Sequence, residues 1–95
     1  MADKNEMQQK FESKLAEYGA EIDRLQAKAK EASAEMREKY EQQIQELQEK
    51  RSEAQQQLES YKESSESAAE SMMSGMQAAW QKLGDAIEDA RSKFR

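Results

Sequence analysis

Apolar residues recur at steps of three or four along almost the whole chain. The run is Met7, Phe11, Leu15, Tyr18, Ile22, Leu25, Ala29, Ala32, Met36, Tyr40, Ile44 and Leu47, then Arg51, Ala54, Leu58, Tyr61, Ser65, Ala68, Met72, Met76, Trp80, Leu83, Ile87, Ala90 and Phe94. Of these 25 positions 23 are apolar, Arg51 and Ser65 being the exceptions. The chain has 20 large apolar side chains (Phe, Ile, Leu, Met, Trp, Tyr), and 18 lie on this stripe; Met1 and Met73 lie off it. Such spacing puts one continuous apolar face on an α-helix. The 24 steps cover 87 residues, a mean of 3.6. That is the period of a straight α-helix rather than the value of about 3.5 that a heptad supercoil requires. The pattern therefore predicts nearly straight helices with local stutters.

Boundary signals divide the stripe unequally. Asp3 with Glu6 reads as a capping box that opens a first helix. From about residue 4 to about 62 nothing is expected to break it, because the cost of Gly19, roughly 1 kcal/mol relative to Ala, is outweighed by its neighbours. The segment Lys62-Glu-Ser-Ser-Glu-Ser67 is the predicted break, since serine competes with the helix for local backbone groups. Ser67 with Glu70 forms a second capping box, and a shorter helix follows over about 67–94. The fold class is thus all-α, one domain over 1–95. The two helices form either a hairpin or a bent rod, and they assemble as a coiled coil or helical bundle. The stripe keeps phase through 62–67, so a single unbroken rod stays open beside the hairpin. Near the C-terminus, Glu88 with Arg91 and Asp89 with Lys93 are spaced for surface ion pairs.

Composition narrows the chemistry. The chain contains no Cys, His, Pro, Val or Thr, and its only β-branched residues are Ile22, Ile44 and Ile87, which argues against a sheet. Without Cys or His there is no thiol chemistry, disulfide or ordinary zinc site. The glycines at 19, 75 and 84 are isolated and make no phosphate loop. A net charge of −5 with no basic run disfavours nucleic acid. The carboxylates fall mostly on the solvated face, so no catalytic, cofactor or small-molecule site is expected. Met72, Met73 and Met76 carry thioethers that suit Cu(I), but methionine at helical spacing is the usual adaptable core filler. The longest uncharged stretch, Ser71 to Gln81, is too short to span a bilayer, and the N-terminal residues lack the apolar core of a secretory signal.

What remains is a burial problem. A first helix of about 57 residues extends ~85 Å and the second only ~40 Å. Folded back, the short arm covers about half the long one and leaves Phe11, Leu15, Tyr18 and Ile22 in water. Each large apolar side chain gains roughly 1.5–3 kcal/mol on full burial. The expected solution is a homo-oligomer, a dimer or a tetramer, with its interface on the stripe. The interface residues are Phe11, Leu15, Tyr18, Ile22, Leu25, Met36, Tyr40, Ile44, Leu47, Leu58, Tyr61, Met72, Met76, Trp80, Leu83, Ile87 and Phe94. Ala27, Ala29, Ala32 and Ala34 would let two helices approach closely. The tyrosines are expected to pack their rings and keep their hydroxyls at the wet edge. Arg51 either pairs across an interface and fixes its register or extends out to solvent. The function expected is a non-catalytic structural or interaction protein. One alternative is a lipid- or granule-surface binder, like a phasin or apolipoprotein, using the wide apolar face of 67–94. Against it, the polar face of that helix (Glu70, Asp85, Glu88) is acidic. An adaptor or chaperone for another protein is a further alternative.

The runs Leu15-Ala-Glu-Tyr-Gly-Ala-Glu-Ile-Asp-Arg-Leu-Gln-Ala-Lys-Ala29, Tyr40-Glu-Gln-Gln-Ile-Gln-Glu-Leu-Gln-Glu-Lys-Arg-Ser-Glu-Ala54 and Ala78-Ala-Trp-Gln-Lys-Leu83 resemble a family of small bacterial coiled-coil proteins. The resemblance covers most of the chain. It implies a long helix followed by a shorter Trp-containing one and a cytoplasmic location, and it brings no active site. The Ser-rich stretch stands where a Gly-containing junction is common in that family.

Overall fold

A computed structural model describes residues 4–94. Three α-helices follow one another: α1 (Lys4–Glu31), α2 (Ala34–Glu63) and α3 (Glu66–Lys93), each of 28 to 30 residues. Two-residue connections reverse the chain twice, so α2 runs antiparallel to both neighbours and α1 lies parallel to α3. The bundle measures 50 × 17 × 16 Å, about the length of its longest helix. Among the described residues there is no strand.

The all-α class is as the sequence predicts, but the long helix over 4–62 is not. It breaks at Ala32–Ser33, in the run Glu31-Ala-Ser-Ala-Glu35, which contains no Gly or Pro. Magnitudes explain why. Interrupting a helix forfeits up to four backbone hydrogen bonds, each worth ~1 kcal/mol net. Folding α1 back buries Phe11, Ile22 and Leu25 completely and half-covers Leu15 and Tyr18. At roughly 1.5–3 kcal/mol for each fully buried side chain, closure outweighs the break. The hairpin-or-rod alternative is thereby replaced by a three-helix bundle, in which no arm is left over.

The second reversal falls inside the predicted Ser-rich break, at Ser64–Ser65. Its details differ by two residues. Ser65, not Ser67, is the N-cap of α3, and its hydroxyl accepts a hydrogen bond from the Ala68 amide at 3.2 Å. The expected capping residue Asp3 lies outside the described residues. Beyond the extended Ser64–Ser65 pair the buried face starts one residue later and rejoins the stripe at Met76. Ala69 is therefore buried where the stripe has Ala68, and Met73 packs half-buried beside Met72.

The core contains Phe11, Ile22, Leu25 and Ala29 from α1, and Ile44, Leu47, Ala54, Leu58 and Tyr61 from α2. Ala69, Met76, Trp80, Leu83, Ile87 and Ala90 from α3, followed by Phe94, complete it. All but Ala69 belong to the stripe. The expectation that a lone chain leaves half its long-helix stripe in water is therefore overturned, because α3 and the fold at residue 33 cover it. Among the described residues Met36, at 39% exposure, is the large apolar side chain left exposed.

Each helix C-terminus, where carbonyls lack intrahelical partners, is met by a side chain from elsewhere. Arg37 donates to the Lys30 and Ala32 carbonyls at the end of α1, at 3.0 and 3.4 Å. The Lys4 ammonium donates to the carbonyls of Lys62, at 2.9 Å, and Ser64 at the end of α2. The Tyr40 hydroxyl donates to the Lys93 carbonyl at 3.1 Å at the end of α3. Cations at helix C-termini also oppose the negative end of the macrodipole.

Gly75 sits mid-helix in α3, and a Cβ added there meets nothing within 4 Å. Gly75→Ala is expected to raise unfolding free energy by about 0.8–1 kcal/mol through helix propensity alone. Thermal and urea denaturation followed by circular dichroism check this value.

Candidate interaction face

The residues expected to form an interface between copies meet one another within a single chain. Phe11 lies between α2 and α3: its ring centroid is 5.9 Å from that of Tyr61, nearly edge-on, and 5.1 Å from that of Trp80. Tyr18 lies 6.2 Å from Trp80 on the outer side. At the opposite end Tyr40 packs on Phe94 at 4.0 Å. Such aromatic contacts add roughly 0.5–1.5 kcal/mol per pair to simple burial. Leu15, Tyr18, Tyr40 and Met72 are half-buried against this core. Tyr18 and Tyr40 thus keep to the wet edge as expected. Tyr61 does not: at 1% exposure it lies wholly inside, because α1 and α3 close over it from both sides.

Two glycines make this closeness workable. A Cβ on Gly19 would lie 2.8–2.9 Å from the Arg51 guanidinium, and one on Gly84 would lie 2.8 Å from the Tyr18 hydroxyl. Gly19 is a notch in α1 over which Arg51 of α2 reaches to Asp23, 4.0 Å away. Gly84 is the matching notch in α3 for Tyr18 of α1. Arg51 therefore reaches between two helices of one chain, at the solvent-exposed edge of the α1–α2 contact. Sequence inspection passes over these glycines because their neighbours are such good helix formers. The available signal is that each immediately follows a stripe residue, Tyr18 or Leu83.

Polar contacts frame the apolar face. Lys62 donates to Glu12 across α1 and α2 at 2.8 Å and lies 3.8 Å from Glu59. Across α1 and α3, Glu21 meets Arg24 at 3.0 Å and Arg91 at 3.8 Å, and Arg91 also meets Glu88 at 3.2 Å. The Lys93–Asp89 pair, at 3.1 Å, completes the predicted C-terminal pairs. These α1–α3 charges line an open groove beside Tyr18 and Gly84. Its charges neutralise one another across the seam rather than converge on a common point.

Two buried polar atoms, Trp80 Nε1 and Gln57 Oε1, have no hydrogen-bond partner among the described residues. Among the described residues no group of three or more acidic, His or Cys side chains is gathered to hold a metal ion. No described helix is long and apolar enough to cross a membrane. Met76 is a core residue, and Met72 and Met73 pack beside it. Comparison with protein families, with curated proteins and with solved structures finds no match to this chain.

The Lys62 hydrogen bond to Glu12 is the main cause holding the Glu12 carboxyl below the ordinary carboxylate range, and the same bond raises the Lys62 ammonium. A lowered acid contributes stability that is present above its unfolded pKa and lost as pH falls through its folded value. A raised base contributes stability that is present below its unfolded pKa and lost as pH rises through its folded value. The pair thus supports the bundle across neutral pH, modestly, because both groups are solvent-screened. Lys62→Met is expected to reduce the loss of melting temperature between pH 6 and pH 3 without abolishing it. Melting curves of both proteins across that range test this. An unchanged acid limb in the variant would remove the pair from the account.

Proposed function

We propose that the protein is a non-catalytic structural or interaction protein that acts through its apolar stripe and associates with further copies of itself. The observation carrying this reading is the phase of the stripe. One apolar face runs from Met7 to Tyr61 in steps of three and four, straight through the Ala32–Ser33 reversal. At this turn every stripe position, Ala29, Ala32, Met36 and Tyr40, is apolar, whereas the stripe position at the second turn is Ser65. An apolar face carried through a turn is surface that a second copy can cover. A dimer or tetramer fits this reading, as do a cytoplasmic setting and the bacterial coiled-coil family that the sequence resembles. Nucleic acid fits poorly with a net charge of −5, and the grooves described here are open rather than enclosed, which suits a small-molecule substrate poorly.

A surface-binding role for 67–94 is the second reading. Its support is the uncharged run Ser71 to Gln81. It requires α3 to turn its apolar face outward, since Met76, Trp80, Leu83 and Ile87 are buried in the closed bundle. Self-association is therefore the simpler reading, because a second copy offers the same apolar partners that α3 already has.

Light scattering of the purified chain from ten to several hundred micromolar tests the proposal. The expected result is a mass rising with concentration from 11.0 kDa towards twice that value. A constant 11.0 kDa over the whole range would overturn it.

A further inference from the structure

The two reversals of the chain are built differently. At the second, both serines are engaged: Ser64 Oγ donates to the Tyr61 carbonyl at 2.6 Å and Ser65 Oγ caps α3. Lys4 clamps the same turn from α1. Both serines have extended backbones, with ψ of 157° and 164°. At the first reversal Ser33 makes no side-chain cap hydrogen bond. Its backbone, φ −61° and ψ 161°, matches that of Ser65, φ −67° and ψ 164°, so the two turns differ in side-chain capping rather than in backbone. Its neighbours Ala32 and Ala34 are the best helix formers available. The turn is held from outside, by exposed Arg37 on the Lys30 and Ala32 carbonyls. Local sequence here favours a continuous helix, and the break is held by the Ala32 amide on the Ala29 carbonyl at 3.2 Å, by Arg37 and by the packing of α1 on α2 and α3.

The stripe supplies the second observation. Leu25, Ala29, Ala32, Met36 and Tyr40 stay on one face if the helix runs through residue 33. Met36, the large apolar residue left exposed, lies on that face in the first turn of α2. The closed bundle covers it only in part, leaving it 39% exposed.

We propose that the second copy enters by exchange: the Ala32–Ser33 turn straightens, α1 and α2 become one helix, and α1 of each copy packs on the α2–α3 pair of the other. The proposal rests on the self-association reading above and specifies its mechanism. The fused helix would span Lys4–Glu63, about 90 Å. Two such helices cross where Ala29 and Ala32 permit close approach, and Met36 of each copy is covered by the other. Phe11 again meets Tyr61 and Trp80, but those of the partner chain. Exchange of an identical element remakes the closed contacts between protomers, which is why it is a low-cost route to dimers. The gains are the helical hydrogen bonds across residue 33 and the burial of Met36, set against the entropy of association.

Cross-linking decides between exchange and simple docking. Glu21 of α1 and Arg91 of α3 lie 3.8 Å apart, both at the surface. In a Glu21→Cys/Arg91→Cys variant of this cysteine-free chain, a short bis-maleimide joins the two positions. The closed monomer gives an internally linked single chain on a denaturing gel. The exchanged dimer gives covalent dimer. Ala34→Pro suits the first turn of α2 in the bundle but cannot continue a helix from α1. It is expected to cut covalent dimer at least tenfold while leaving helix content unchanged. Ser33→Ala, a better helix former at both crossings, is expected to tighten association roughly fivefold. A dimer whose links stay within each chain would overturn exchange and leave self-association standing. So would a dimer fraction that neither variant moves. A chain that stays monomeric throughout would overturn both.

Discussion

One apolar face must be kept from water, and nearly every other feature of this protein follows from how that is done. The stripe carries 18 of the 20 large apolar side chains, so there is no other source of a core. A straight rod would leave all of it wet. A single hairpin of unequal arms would leave part of it wet. Three arms of nearly equal length place most of the face against two others, with Met36 left exposed. The cost is two interrupted helices, and it is met by aromatic packing around Phe11 and by side-chain donors on each helix C-terminus.

The sequence showed the content of the core better than its folding points. The stripe alone names every buried apolar residue except Ala69. The second turn was legible because serines clustered where an apolar residue was due, and they satisfy the local backbone there. The first turn was not, because Ala32-Ser33-Ala34 carries no breaker and Ser33 does not use its side chain as a cap. That break is decided by burial many residues away, in Phe11, Ile22 and Leu25, which local propensity does not register. Tyr61 misled for a related reason. A tyrosine reads as an edge residue on a lone helix, and it goes inside only once two further helices flank it.

The candidate face has the same history. Its residues were identifiable one by one, but which of them meet depends on the number of helices. With three arms, Arg51 settles over Gly19 and Tyr18 over Gly84, and these side chains pair within one chain. The face is consequently both the core of the closed molecule and the surface it offers if a turn gives way. A binding role then draws on stability already present rather than on a separate patch. This suits a chain in which, among the described residues, Met36 is the large apolar side chain left exposed.

The central claim is that one molecule, alone, shelters its stripe by turning twice. Small-angle X-ray scattering on dilute protein, well below any association, measures this directly. A closed bundle has a backbone radius of gyration of 15.2 Å and a longest dimension of 50 Å. A monomer with an unbroken first helix would instead reach about 90 Å. Scattering from a solitary chain near the first pair of values is the expected result. A monomer with the longer dimension would contradict the account, because the turn at Ser33 would then not exist in the free molecule.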